Sequence, residues 1–593
     1  VYLKRYTIKR GAKQYVYLRL VQAFRDRAGK VQHRVLATLG REDALKSSGQ
    51  LDQLAAAFTR LDPPRVGIRR EVGPLLLVKH VLDSLGLVRI IDRQIPQRGR
   101  SDLTSGEVIA ALVANRLCAP APLYDIAAWG SGSALQELLG VPGMLLNDDR
   151  LGRALEAFAP VAETVRGEVA LAAIEAFGAD AARLHVDLTT LRFAGAYEAS
   201  SLVGKGWGAD RRVARQVRVL QAVNPEGVPL YVRPHPGESA ELTCIGAALE
   251  RLAKLLGRGL LVCADSALGH AKNLCSADQA GLRFIVPLRA ATGFGSRFLE
   301  EVGHGGLKPV PYVRHRDRAR PLHQRPRYRG AVRPWQVVDP QTGQKRAFRV
   351  LYVWSSEEAA SVAAARERAL IKIETDLAAM RRGLGGRYYK TTKQVRARLA
   401  TILTPPVLDL ITVTVGSRDG KPTLRWRRHS PRIAQAARLD GIYALATNLP
   451  GRLSARRVLH TYKAQSLVEQ RHRDAKQTLR VRPIFLHNDD RIAALISVVG
   501  LALTVFGLIE AGVRRALGPG QRLEGLLPEK RDAIPTGRAI LAAFQSLGLT
   551  YTEHGPQLDP ITGTQRRILD LLGASVPWQP GQELAPASCG KRG

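Results

Sequence analysis

Cysteine is scarce in this chain, and Cys118, Cys244, Cys263, Cys275 and Cys589 lie scattered with no CxxC pair among them. That excludes a disulfide framework and a cysteine-built zinc site, and it suits a reducing cytoplasm. Carboxylates are also short, with 52 Asp plus Glu against 89 Lys plus Arg, a net charge of +37. So large an excess repels itself unless a polyanion is present. Each phosphate neutralised by Lys or Arg releases condensed counterions, so nucleic acid is the expected partner. Long apolar runs are missing with one exception, IAALISVVGLALTVFGLI at 492–509, which carries no charge. Its length is at the lower limit for a bilayer span, Gly500 and Gly507 interrupt it, and a basic segment precedes it. It reads as a buried helix covering a sheet, and no membrane partner is expected. The opening VYLKRYTIKRG alternates polar and apolar residues and has no apolar core of the kind a secretory signal needs. No internal repeat or low-complexity tract is present.

An apolar fraction of 45% excludes wholesale disorder, and 593 residues exceed what one hydrophobic core holds. Residues 2–39 alternate in strand fashion around RDRAGK at 25–30, which implies a basic β-meander within 1–60, a candidate for DNA binding. LDPPR at 61–65 breaks the chain. A helical region over 66–180 follows, where Pro74 suits a helix start, Gly86 a stop, and Thr104 with Glu107 a capping box. From residue 181 the pattern is strand, hairpin around NPEG at 224–227, helix over about 241–256, then the doubly buried strands GLLVCAD and RFIVPL. This implies a mixed α/β core in two parts, 181–290 and 441–515. Between them, 291–440 reads as a β-rich basic insertion that opens with eight arginines and one aspartate between 314 and 333. Residues 516–593 read as a C-terminal helical region with a possible role in dimerisation.

Three carboxylates stand out by context. In RLHVDLTTLRF, His185, Asp187 and Thr189 share one strand face, and Asp265 ends GLLVCAD. TYKAQSLVEQRHRDAK, 461–476, reads as one helix whose Tyr462, Gln465, Glu469, Arg473 and Lys476 fall on a single polar stripe. Taken singly, Asp187 suits an ordinary strand, Asp265 a turn or cap, and Glu469 an ion pair with Arg473. Taken together, two strand carboxylates and one helix carboxylate can converge where sheets of this kind bind ligands. Such a cluster is repulsive unless hard cations occupy it. Mg²⁺ takes oxygen ligands and substrate phosphate, and a pair of ions suits in-line displacement at phosphorus.

These residues resemble a family. The chain is similar to bacterial insertion-sequence transposases of the DDE class, in the IS-four-like superfamily with a Y-x2-R-x3-E-x6-K signature. Here the signature reads Tyr462, Gln465 in place of Arg, Glu469 and Lys476. HVDLTTLRF carries Asp187, CADSALGHAKN carries Asp265 and Asn273, and LRVRPIF follows the helix. The resemblance implies an RNase H-like core with an insertion before the glutamate. It implies a metal-dependent polynucleotidyl transferase in which Asp187, Asp265 and Glu469 hold two Mg²⁺ or Mn²⁺ ions and catalyse cleavage and joining, with Asn273 in support. Tyr462, Gln465, Arg473 and Lys476 would contact DNA phosphates, and Trp335 or Trp354 would stack on a flipped base. The implied partners are double-stranded DNA, as terminal inverted repeats and target, and a second copy of the chain; the implied location is the bacterial cytoplasm at the nucleoid. A nuclease or resolvase without strand transfer, or a non-catalytic DNA-binding regulator, are the alternatives.

Overall fold

The computed structural model describes residues 2–10, 13–25, 31–48, 67–97, 102–207, 212–314, 317–403, 405–479 and 486–578. The expected turn at 25–30, the breaker at 61–65, LRVRPIF after Leu479, and Cys589 lie wholly or largely outside the described residues. Packing divides the chain into two units, Val1–Arg70 with Gly548–Asp559 and Trp578–Gly593, and Glu71–Leu547 with Pro560–Pro577.

In the first unit, β1 (Tyr2–Arg10), β2 (Lys13–Arg25) and β3 (Val31–Arg41) form an antiparallel sheet in the order β1-β2-β3. Among the described residues, Leu18 and Val21 are buried in it, with Leu45 of the short helix Glu42–Ser47. A strand at Arg69–Glu71 (β4) closes the N-terminal segment.

The second unit begins with helices. Gly86 ends Leu75–Leu85 in the left-handed conformation at φ 64°, where a side chain would be strained. The capping box at Ser105–Cys118 is closed in both directions, Glu107 N–H donating to Thr104 Oγ1 at 3.1 Å and Thr104 N–H to Glu107 Oε2 at 2.7 Å.

The central sheet follows. It contains β5 (Arg183–Arg192), β6 (Gly204–Trp207), β7 (Val213–Val223), β8 (Pro229–His235), β9 (Leu261–Ala264) and β10 (Arg283–Pro287). Strand β7 runs antiparallel to both β5 and β8, whereas β5, β9 and β10 are mutually parallel. Helices α1 (Glu241–Leu256) and α2 (Ala271–Gln279) make the crossovers that parallel strands require.

The sheet does not stop at β10. Strands β11 (Lys308–Val310), β12 (Tyr328–Val338) and β13 (Lys345–Ser355) add to it through β16 (Ile442–Thr447), giving the path β11-β12-β13-β16-β10-β9-β5-β7-β6. Segment 291–440 therefore divides. Its first strands join the central sheet because Leu351, Tyr352 and Val353 are buried on both faces against β16. The rest is mainly helical: α3 (Ser356–Arg382) and α4 (Thr392–Ile402) pack with one hairpin, β14 (Ile411–Arg418) and β15 (Lys421–Arg428), around their own core.

After β16 come α5 (Ala455–Lys463), α6 (Ser466–Arg473) and α7 (Asp489–Leu517). The apolar stretch of α7 is 94% buried inside the fold, so the one long apolar run is a core helix. It lies against β8, where Thr504 Oγ1 donates to Pro229 O at 2.8 Å. Gly500 and Gly507 are contact points: an added Cβ would meet Val232 Cβ at 3.0 Å and Gly227 O at 2.9 Å. They permit the close approach of helix and strand.

Candidate active site

Asp187 and Asp265 are brought together by register. Val186 of β5 pairs with Ala264 of parallel β9, so the two aspartates follow on neighbouring strands, about 4.8 Å apart in the hydrogen-bonding direction. Both lie at the carboxyl-terminal side of the parallel strands, the side at which such sheets bind ligands. Asp187 Oδ1 accepts from the N–H of Leu188 at 2.9 Å, and Asp265 Oδ1 accepts from the N–H of Ala267 at 3.0 Å, which makes the turn out of β9. The neighbour His185 has gone inward: it is fully buried, and burial pushes its pKa down to about 4, so it is neutral.

Glu469 arrives on α6, which packs against β5. The expected single helix over 461–476 is broken. At Ala464 and Gln465 the backbone bonds close three residues back, to Thr461 and Tyr462, and this tighter winding ends α5 and starts α6. At 474–478 the winding loosens into a π turn, closed by Leu479 N–H to Asp474 O at 2.9 Å. A uniform 100° step therefore misplaces the stripe.

A buried network accompanies these irregularities. Arg471, 2% exposed, donates to Gly227 O at 2.5 Å, to Asp474 Oδ2 at 2.8 Å and to Glu510 Oε2 of α7 at 3.3 Å. With Arg471 and Asp474 turned into the core, Lys476 reaches back to β5 and donates to Thr189 Oγ1 at 2.7 Å. Arg473 and Glu469 are exposed, and Gln465 and Tyr462 are half-buried.

The electrostatics tie the carboxylates into one cluster. Burial first, and then the charges of Asp265, Glu469 and Glu241, push the Asp187 pKa up to about 7. Tyr462 is raised by burial and by Asp265, Cys263 and Glu469, which places its hydroxyl in the same neighbourhood. The sequence reading missed Glu241. It stands in the first turn of α1, shares a hydrogen bond with Asp265, and is raised chiefly by burial and by that aspartate. Arg289 braces this corner, 3.7 Å from Glu241 Oε2 and donating to Ser266 Oγ at 3.1 Å. The signal for Glu241 was a carboxylate opening the helix between β8 and β9.

His472 was also missed. Its Nδ1 lies 3.5 Å from Asp187 Oδ2, one helical turn on from Glu469. Burial pushes its pKa down to about 3, so the contact joins a neutral ring to Asp187 and is no ion pair. Asn273 is buried and donates to Leu242 O at 3.1 Å and Ala267 O at 3.4 Å, joining the turn after Asp265 to the first turn of α1.

The two tryptophans separate. Trp335 pairs with Phe348 and Trp354 with Arg329, so they lie at opposite ends of the β12–β13 ribbon, roughly 20 Å apart. The pairing of β13 with β16, and of β16 with β10, puts Trp354 at the end of the sheet where Asp265 stands and Trp335 at the other. Among the described residues no three His, Cys, Asp or Glu side chains close into a ready-made metal cage. The donor set of hard carboxylate oxygens, one of them raised by burial and then by its neighbours' charges, nevertheless fits a divalent cation.

Three family models match the chain. Residues 3–64 match the N-terminal domain of IS1634 family transposases, residues 69–164 match a domain of unknown function, and residues 180–505 match the transposase DDE domain. No curated protein matches the chain. The transposase DDE match spans more than half of the chain and includes all three carboxylates, and the chain therefore belongs to the DDE insertion-sequence transposases.

Proposed function

We propose that this transposase cuts DNA at the ends of an insertion element and joins them to target DNA, using Asp187, Asp265 and Glu469 as the ligands of two divalent ions, Mg²⁺ or Mn²⁺. The observation that carries the reading is the β5–β9 register, which sets Asp187 beside Asp265 while the helix of Glu469 packs on β5. The strand order β8-β7-β5-β9-β10, three antiparallel strands followed by two parallel ones, supports an RNase H-like core. Bound ions would supply activation of the attacking oxygen and stabilisation of the leaving one.

The chain's own residues do the rest. Asp187, in its carboxylate form, and Glu469, exposed on α6, would complete the oxygen ligands of such ions with Asp265. The neutral His472 stands 3.5 Å from Asp187 Oδ2 and helps to position that carboxylate, and the Arg471 network anchors α6 in the core. Lys476, Arg473, Gln465 and Tyr462 form the phosphate-facing side of the site, and Trp354 is the tryptophan positioned to receive an extrahelical base. The partners on this reading are terminal inverted repeats, target DNA and a second copy of the chain in a paired-end complex.

The test is a labelled duplex carrying the element's end, incubated with Mg²⁺ and with wild type, Asp187→Asn, Asp265→Asn or Glu469→Gln. Wild type is expected to nick and join while all three variants bind but do not react. Nicking by the variants at the wild-type rate contradicts the assignment, and nicking without joining by wild type favours the nuclease alternative.

A further inference from the structure

The sequence's most conspicuous basic run, 314–333, is largely occupied by its own fold. Arg314 pairs with Asp317 at 2.5 Å and with Glu357 at 2.5 Å, and Arg320 pairs with Asp317 at 3.1 Å. Arg325 donates to Arg320 O at 2.8 Å and Arg318 O at 2.6 Å, Arg329 to Leu307 O at 2.9 Å, and Arg333 to Val332 O at 3.0 Å. These five guanidinium groups hold an irregular segment together.

A different stretch presents cations that the fold leaves outside its ion pairs. Between 381 and 398, RRGLGGRYYKTTKQVRAR holds seven Lys and Arg and no Asp or Glu. All seven are exposed. Among the described residues none of them pairs with a carboxylate. Arg381 lies over the Trp426 ring at 4.8 Å, Arg387 over the Tyr388 ring at 5.8 Å, and Arg398 donates to Thr401 Oγ1 at 3.3 Å.

The display is built rather than loose. Leu370, Ile373, Leu377 and Met380 of α3 and Val395 and Leu399 of α4 share one core, so the inner faces of both helices are fixed and the cations stand outside. The connection is closed by Gly385 N–H to Tyr389 O at 3.0 Å. Gln394 Oε1 accepts from the N–H of Lys390 at 2.8 Å and of Thr391 at 3.1 Å, which completes a capping box at the start of α4. Tyr389 packs on the core while Tyr388 is 75% exposed. Lys393 and Arg396, three residues apart on α4, are neighbours on its outer face.

We propose that the α3–α4 end of this helical body is a DNA-backbone grip, in which Arg387, Lys393 and Arg396 neutralise phosphates of duplex bound by the transposase. The inference rests on the functional reading above for its ligand, and it assigns the electrostatic footprint to a part of the fold away from the carboxylates. Backbone contacts of this kind position a duplex without reading its sequence. The surface is preorganised, so little ordering entropy opposes binding.

The experiment compares wild type with Arg387→Gln/Lys393→Gln/Arg396→Gln and with Arg325→Gln/Arg329→Gln. Affinity for an end-containing duplex is measured between about 50 and about 200 mM salt. Three lost phosphate contacts should make the slope of log affinity against log salt shallower by about 2.7 and lower affinity at physiological salt by roughly 100-fold. Cleavage at saturating protein should stay at the wild-type rate. The Arg325/Arg329 variant should keep the wild-type slope and melt at a lower temperature.

An unchanged slope in the triple variant, with an unchanged melting curve, overturns the proposal and points to an acidic protein as the occupant. If the triple variant does not fold, the single variants Lys393→Gln and Arg396→Gln decide, each with an expected slope change of about 0.9. A wild type that binds with a steep salt slope but never cuts would sink the catalytic reading and leave this surface standing.

Discussion

Filling the carboxylate cluster with a divalent ion should release a proton, and the amount is set by Asp187. With its pKa pushed up to about 7, Asp187 is about 0.9 protonated at pH near 6 and about 0.1 protonated near pH 8. An ion that needs the carboxylate form should therefore release about 0.9 proton at the lower pH and about 0.1 at the higher one. Its apparent affinity should rise about tenfold across that window, about 1.4 kcal/mol. Titration calorimetry with Mn²⁺, in two buffers of different ionisation enthalpy, reads the proton count directly. Asp187→Asn should abolish the pH dependence. The same shift acts on the ion-free fold. The folded pKa lies above the ordinary value of 3.8, so this contribution to stability is fully present below about pH 4 and is lost as pH rises through about 7. The loss amounts to about 4 kcal/mol at most, and saturating Mn²⁺ should restore it. A proton count near zero at the lower pH, or equal counts for wild type and Asp187→Asn, would refute the reasoning.

Three further expectations follow from packing. Arg471→Met leaves Asp474 and Glu510 buried without their shared cation, so denaturant unfolding should show a loss of about 3–5 kcal/mol; a loss below about 1 kcal/mol would mean that the network is incidental. Gly507→Ala drives a methyl to 2.9 Å from Gly227 O and 3.0 Å from Val228 Cα, and should cost about 1–3 kcal/mol, whereas Gly563→Ala meets nothing within 4 Å and should be silent in the same melting assay. Lys476→Met removes the cation that reaches Thr189 and should slow end cleavage roughly tenfold or more at saturating DNA while melting changes little; an unaltered rate would remove Lys476 from the site.

Much of this architecture was legible because local chemistry and tertiary packing agree. The helix read over about 241–256 spans Glu241–Leu256, and the capping box at Thr104 and Glu107 is closed as its spacing implies. The continuous apolar run GLLVCAD contains a strand with neighbours on both sides. The charge-free stretch inside α7 is a core helix, for which its glycines were the clue, although they serve contact with β8 and not interruption. What escaped was whatever depends on distant partners. The winding changes at Ala464 and at 474–478 accompany the turning of Arg471 toward Glu510, 39 residues away, which no helical period encodes. Glu241 joins Asp265 only because α1 ends up beside the turn out of β9. The arginine run at 314–333 was legible only as positive charge, yet Arg314, Arg325 and Arg329 spend donors on carbonyls and carboxylates contributed by the folded chain. Composition gives the number of cations; only packing tells which of them stay free.

Anomalous scattering from crystals of the protein with end-containing DNA and Mn²⁺ would locate the ions themselves. The account predicts two peaks in contact with carboxylate oxygens of Asp187, Asp265 and Glu469 taken together. Peaks on other side chains, in crystals that still cleave the DNA, would contradict it.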